Sequence, residues 1–105
     1  LDEEKFLQAL LNIAMNGIRH AQSVVKLETR QINRQTILTV EDDGQGIDED
    51  LIPHIFHRFV KGKSGETGLG LAIARAIVEH SGGKIRVDQS EDLGGAKFTI
   101  IFFNE

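Results

Sequence analysis

At 105 residues the chain is long enough for one hydrophobic core and too short for two. Apolar residues make up 40% and charged residues 27%, which excludes a disordered or membrane-embedded chain, and no apolar run approaches the roughly 20 residues of a membrane span. The net charge of −4 comes without a basic stripe and argues against a nucleic-acid partner; with no cysteine, disulfides and thiolate metal sites are excluded and a reducing cytosol is compatible.

Asp2, Glu3 and Glu4 open the first predicted helix, a capping carboxylate followed by acids on the positive end of the dipole. Phe6, Leu7, Leu10, Leu11, Ala14, Met15 and Ile18 recur at helical spacing and read as its core stripe, continuing to about Ala21. Asn12 and Asn16 are four apart, so both amides lie on one face. Asparagine is a mediocre residue inside a helix. The pair therefore reads in two ways: amides held toward something polar, or amides that are simply solvated.

Val24–Arg30 alternates as a strand, Gln31–Arg34 turns the chain, and Gln35–Glu41 forms a second strand antiparallel to the first. It ends in Asp42-Asp43-Gly44-Gln45-Gly46-Ile47, a tight glycine-bearing loop able to hold Asp42 at the rim of a pocket; an acidic surface turn is the bland alternative. Asp48–Asp50 caps a short predicted helix containing Pro53 and running through Leu51, Ile52, Ile55, Phe56 and Phe59. Val60–Glu66 is polar and glycine-punctuated and reads as a lid or an ordinary surface loop.

Gly65-Glu66-Thr67-Gly68-Leu69-Gly70-Leu71 then leads into a third helix. Its periodic residues are Leu71, Ile73, Ala74, Ile77 and Val78. Glycines before a helix N-terminus leave backbone N–H groups and the positive dipole end open to an anion. The helix is expected to end at Ser81-Gly82-Gly83 with a left-handed glycine. Strands Lys84–Gln89 and Ala96–Phe103, joined by Ser90–Gly95, complete the chain, with no internal repeat or linker.

Four stretches stand in a telling order: Asn12–Asn16, Asp42–Ile47, Ile55–Phe59 and Gly65–Leu71. Together they resemble the N, G1, F and G2 boxes of the catalytic, ATP-binding domain of bacterial sensor histidine kinases. Each box alone is weakly specific, but the ordered set is highly specific and covers nearly the whole chain. The resemblance implies one domain over residues 1–105, of the α+β class. It would be a two-layer α/β sandwich of the Bergerat (GHKL) type, with a mixed sheet and three helices on one face.

It also implies residue roles. Asp42 would accept a hydrogen bond from the adenine amine, Gly44 and Gly46 would let the loop approach the base, and Ile47 would form an apolar wall. Asn16 would bind Mg²⁺ through a hard amide oxygen. Arg19 would reach the phosphates and His20 would lie near ribose and phosphates. Arg58 and Lys61 would offset charge on the outer phosphates. The helix start at Gly68, Leu69, Gly70 and Leu71 would cradle the phosphates, and Phe59 and Thr67 belong to the same ATP-binding set. Asn12 stands where the related ATPases resemble one another in carrying a glutamate that activates water. An amide cannot accept that proton, so Asn12 points to transfer rather than hydrolysis.

Two departures from the family pattern are visible: Gly17 replaces the usual alanine, and the lid is short. None of the four histidines lies in the phosphoacceptor context His-Glu/Asp-Arg/Lys-x-Thr/Asn. Because Leu1 is not a natural start, the chain is expected to be a fragment. By resemblance, the acceptor histidine and its base would sit on a separate dimerisation helix domain. The expectation is a protein histidine kinase domain using ATP and Mg²⁺, weakly active or inactive alone. It would be a monomer without nucleic-acid contacts, cytoplasmic at the inner face of the cell membrane, with a response regulator downstream. A nucleotide-sensing module without turnover and an ATPase of the same fold are the competing readings.

Overall fold

Alternating strand patterns, with an apolar helix ahead of each pair of strands, dictate a sheet covered by helices. A computed structural model of the chain, describing residues 3–50, 52–56 and 69–103, has this architecture. The order of elements is α1 (Glu3–His20), β1 (Val25–Ile32), β2 (Gln35–Asp42), a 3₁₀ turn (Ile52–His54), α2 (Leu69–His80), β3 (Lys84–Gln89) and β4 (Ala96–Phe103). The acids Glu3 and Glu4 sit in the first turn of α1 and Arg19 and His20 in its last, both matching the helix dipole.

Among the described residues the sheet order is β1-β2-β4-β3, and every pairing is antiparallel. The expected mixed sheet is thus corrected. β2 and β3 do run the same way, but β4 returns between them, so no parallel ladder forms. The β1–β2 hairpin closes on Asn33-Arg34, with Asn33 at φ 56°, a conformation asparagine tolerates well.

The expected short helix is also corrected. Among the described residues it is a single 3₁₀ turn at Ile52–His54, and Phe59, its predicted last apolar contact, lies outside the described residues. Pro53 lacks an N–H and so cannot donate within such a turn. What that segment contributes is packing: Ile52, Ile55 and Phe56 rest on the core, with the Phe56 ring edge-on to Phe98 at 6.1 Å.

α1 and α2 pack against one face of the sheet and against each other. Leu38 and Val40 of β2, Val87 of β3 and Phe98, Ile100 and Phe102 of β4 meet Leu71, Ala74 and Val78 of α2. From α1 the buried residues are Ala9, Ile13 and Gly17, while Leu7, Leu11, Met15 and Ile18 are half exposed. The predicted core stripe of α1 is therefore displaced by about a third of a turn, with only Phe6 and Leu10 shared as partly buried contacts. Small residues at 9 and 17 let the helix lie close to the sheet. At Gly17 the nearest atoms to a would-be Cβ are Val25 and Val40 methyls at 3.5–3.7 Å. α2 ends as predicted. Gly82 takes φ +81°, and the Gly83 amide donates 2.9 Å to the Val78 carbonyl.

Candidate functional site

β2 ends in a buried carboxylate. Asp42 is 2% exposed, and its Oδ1 accepts from the amides of Gly44 (2.9 Å) and Ala96 (3.3 Å). Its backbone carbonyl accepts from Gly95 N at 3.1 Å. These bonds are the reason the carboxylate is oriented, and two of the donors come from a turn more than fifty residues away. The other oxygen, Oδ2, takes no part in these bonds. Gly95 has to be glycine here, because a Cβ would collide with Asp42 Oδ1 and with its carbonyl oxygen.

The loop after Asp42 is fastened on two sides. Gly44 lies so close to the His20 carbonyl that any Cβ would strike it. Gly46 takes φ +80°, and a Cβ there would meet the Gln89 amide oxygen at 2.6 Å. Gln89 Nε2 donates 3.0 Å to the Ile47 carbonyl, stitching the loop to the end of β3. Ile47 itself packs against the core. The β3–β4 turn that supplies Gly95 is in turn held by Ser90, which donates to Glu41 at 2.8 Å and accepts from Leu93 N at 3.0 Å.

The next residue, Asp43, faces the other way and gathers the α1–β1 turn. Its carboxylate accepts from the amides of Gln22 (2.8 Å), Ser23 (2.9 Å) and Val24 (3.0 Å) and from Ser23 Oγ (2.6 Å). Hydrogen bonds from Ser23, first its hydroxyl and then its amide, hold the Asp43 carboxyl well below the usual carboxylate range, and the Val24 and Gln22 amides add to them.

α1 borders both ends of the site. At its C-terminus the His20 carbonyl meets the Gly44 loop; in its middle Asn12 faces the start of α2, where a Cβ on Gly70 would sit 3.9 Å from Asn12 Cβ and Cγ. Eight residues of helix separate these points, about 12 Å along the axis. Asn16 lies between them and is partly buried, as is Asn12. The predicted residues Asn12, Asn16, His20, Asp42, Gly44, Gly46, Ile47, Gly70 and Leu71 thus belong to three adjoining elements. Leu71 contributes to the core as well. Arg19 is in the last turn of α1, and Leu69 opens α2. Arg58, Phe59, Lys61, Thr67 and Gly68 lie outside the described residues.

This is an oriented carboxylate at one end, amides on a shared helix face, and a glycine-led helix start at the other. The whole chain, residues 1–105, matches the family model described as histidine kinase-, DNA gyrase B- and HSP90-like ATPase. The chain belongs to this ATPase family. Among its relatives is the signal transduction histidine-protein kinase AfsQ2 of Streptomyces coelicolor, 34% identical over 95% of this chain and 19% of the relative. The chain thus spans about a fifth of the length of that curated relative. Two solved structures of the family align closely. The mycobacterial sensor histidine kinase MprB has a TM-score of 0.87 at 27% identity, covering 98% of this chain and 74% of MprB. Full-length ShkA, solved in complex with AMPPNP, has a TM-score of 0.83 at 31% identity, covering 99% of this chain and 23% of ShkA. The ATPase-family fold is therefore the α+β sandwich expected from the boxes, with the sheet and helix corrections above.

Sequence reasoning missed Asp43, Gln89, Gly95 and Ala96 as parts of the site's frame. The composition of Ser90–Gly95 marks a turn, but nothing in the residues near Asp42 says that this turn supplies its hydrogen bonds. A hollow of about 370 Å³ between Glu41, Arg86, Asp88 and Lys97 involves none of the predicted ligand residues. Its lining mixes acids and bases.

Proposed function

We propose that this domain binds Mg-ATP along α1, with the base against the Asp42–Ile47 loop and the phosphates toward the start of α2. It then donates the γ-phosphoryl group to a histidine on a separate dimerisation helix domain of a sensor histidine kinase, with a response regulator downstream. The observation that carries this reading is Asp42: a buried carboxylate with one oxygen fixed by backbone amides, oriented to accept from an exocyclic amine. Adenine carries that amine at C6, a position where guanine has a carbonyl oxygen instead.

Asn16 presents a neutral, hard oxygen on the same helix face as Asn12. Among the described residues no group of three His, Cys, Asp or Glu side chains is arranged to hold a metal. That donor set suits Mg²⁺ arriving with phosphates and water, which rarely uses an all-protein cage. Bound there, the ion would neutralise charge on the phosphate oxygens. Asn12 supports transfer over hydrolysis, since its amide cannot take a proton from water. The remaining work is positioning, which phosphoryl transfer chiefly requires.

The parent protein is read as a sensor kinase whose catalytic piece faces the cytoplasm at the inner side of the membrane. No described helix of this piece is long and apolar enough to cross one. The domain itself is read as a monomer without nucleic-acid contacts. The test is a titration of the domain with ATP, with and without Mg²⁺, followed by amide NMR. A second arm adds the dimerisation helix domain and assays acid-labile, alkali-stable phosphate on it. Shifts confined to Asn16, Asp42–Ile47 and Gly70, and phosphate on the acceptor, are the expected results. ATP binding without transfer defeats the kinase reading and leaves a nucleotide-sensing module.

A further inference from the structure

Asp43 is absent from the ligand set, yet its carboxylate accepts from four donors. Three consecutive amides, Gln22, Ser23 and Val24, and the Ser23 hydroxyl converge on its carboxylate at 2.6–3.0 Å. Its own amide donates to the Val24 carbonyl at 3.3 Å. On one side of Asp43 in sequence is Asp42; on the other is Gly44, seated against the His20 carbonyl. The 20–24 turn and the 42–44 loop are therefore tied to each other, and that turn continues directly from the helix carrying Asn12 and Asn16.

The Asp42 loop has a second set of attachments, to Gly95, Ala96 and Gln89. Those join it to the β3–β4 end of the sheet and not to α1. Asp43 is thus a side chain that fixes the loop relative to the end of α1. A carboxylate suits this task because two oxygens can accept four donors; an amide at the same place has only one acceptor oxygen.

Resting on the nucleotide-binding reading above, we propose that Asp43 is a positioning residue: without touching ATP, it sets the spacing between the base end at Asp42 and the phosphate end along Asn16 and Asn12. A ligand that spans both ends gains from having them held at the right separation, while a ligand occupying one end does not. This consequence separates positioning from general support of the fold.

The experiment compares three ligands on the wild-type domain and on Asp43→Asn, Asp43→Ala and Ser23→Ala: ATP, adenosine alone and tripolyphosphate alone. Dissociation constants come from amide NMR, and spectra of the free proteins report folding. The expected result is ATP binding weakened about tenfold or more in Asp43→Ala, less in Asp43→Asn and least in Ser23→Ala. Adenosine and tripolyphosphate should stay within about twofold of wild type, because each meets only one half-site. Unchanged ATP affinity overturns the proposal, and so does equal weakening of all three ligands, which marks a merely structural role. If Asp43→Ala does not fold, the Asn and Ser23→Ala variants decide between the same outcomes. A wild-type domain that binds none of the three removes the nucleotide reading itself, a result distinct from any of these.

Discussion

Neighbouring aspartates in this chain have opposite duties. Asp42 is buried, with one oxygen fixed by the Gly44 and Ala96 amides, whereas Asp43 gives its carboxylate to the α1–β1 turn. Asp42→Ala removes a charged acceptor, which is worth about 1.5–3 kcal/mol. ATP affinity is then expected to fall about 10- to 100-fold, with loss of the preference for ATP over GTP. Unchanged calorimetric affinity refutes the assignment. For Asp43 the sign of the pH effect follows from its lowered pKa. The folded state binds the proton less readily than the unfolded chain, so the stabilisation is complete above the unfolded value near pH 4 and is lost as pH falls below it. Thermal melts should show a constant gap between wild type and Asp43→Asn from about pH 7 to 5 that narrows below about pH 4. A gap that widens on acidification contradicts this account.

The elements were legible to different depths, and the reason is how local each signal is. Both hairpins and α2 follow from alternation, turn residues and a terminal glycine, all of which act within a few residues. α1 is apolar over a wide arc, so its periodicity fits two adjacent stripes. Small Ala9 and Gly17, and not the larger Leu11 and Met15, were chosen by the approach of the sheet. Gly17 has room for a methyl group in ordinary contact with Val25 and Val40. Gly17→Ala should therefore gain helix propensity of about 1 kcal/mol and raise the melting temperature by roughly 4–8 °C in a domain of this size. A lower melting temperature means the packing is tighter than these distances indicate. Gly70 is similarly roomy on the protein side, with Asn12 atoms at 3.9 Å from a would-be Cβ. Gly70→Ala should fold normally yet bind ATP more weakly, and an unaltered dissociation constant would count against phosphates approaching there.

For the whole molecule, the site is a boundary between elements distant in sequence: α1, the Asp42–Ile47 loop and the start of α2, framed by the β3–β4 turn. In the proposed reading Asn12 stands where a hydrolase would carry a base, and its amide offers none. The isolated domain is therefore expected to release almost no phosphate from ATP over hours in a coupled assay. Steady turnover would move it to the hydrolytic branch of its ATPase family.

By itself the sequence determined the strands, α2 with its left-handed glycine, and the order of the four boxes, because those depend on neighbours along the chain. It also placed Asp42, Asn12 and Asn16 as ligand candidates, since their residue types carry the chemistry. Only the tertiary structure decided which stripe of α1 is buried and that β4 runs between β2 and β3. Only it assigned Asp42 its hydrogen bonds from Gly95 and Ala96 and gave Asp43 its hold on Gln22–Val24. Those outcomes depend on pairs separated by some twenty to more than fifty residues, whose meeting is settled by packing of the whole sandwich and leaves no mark in either local segment.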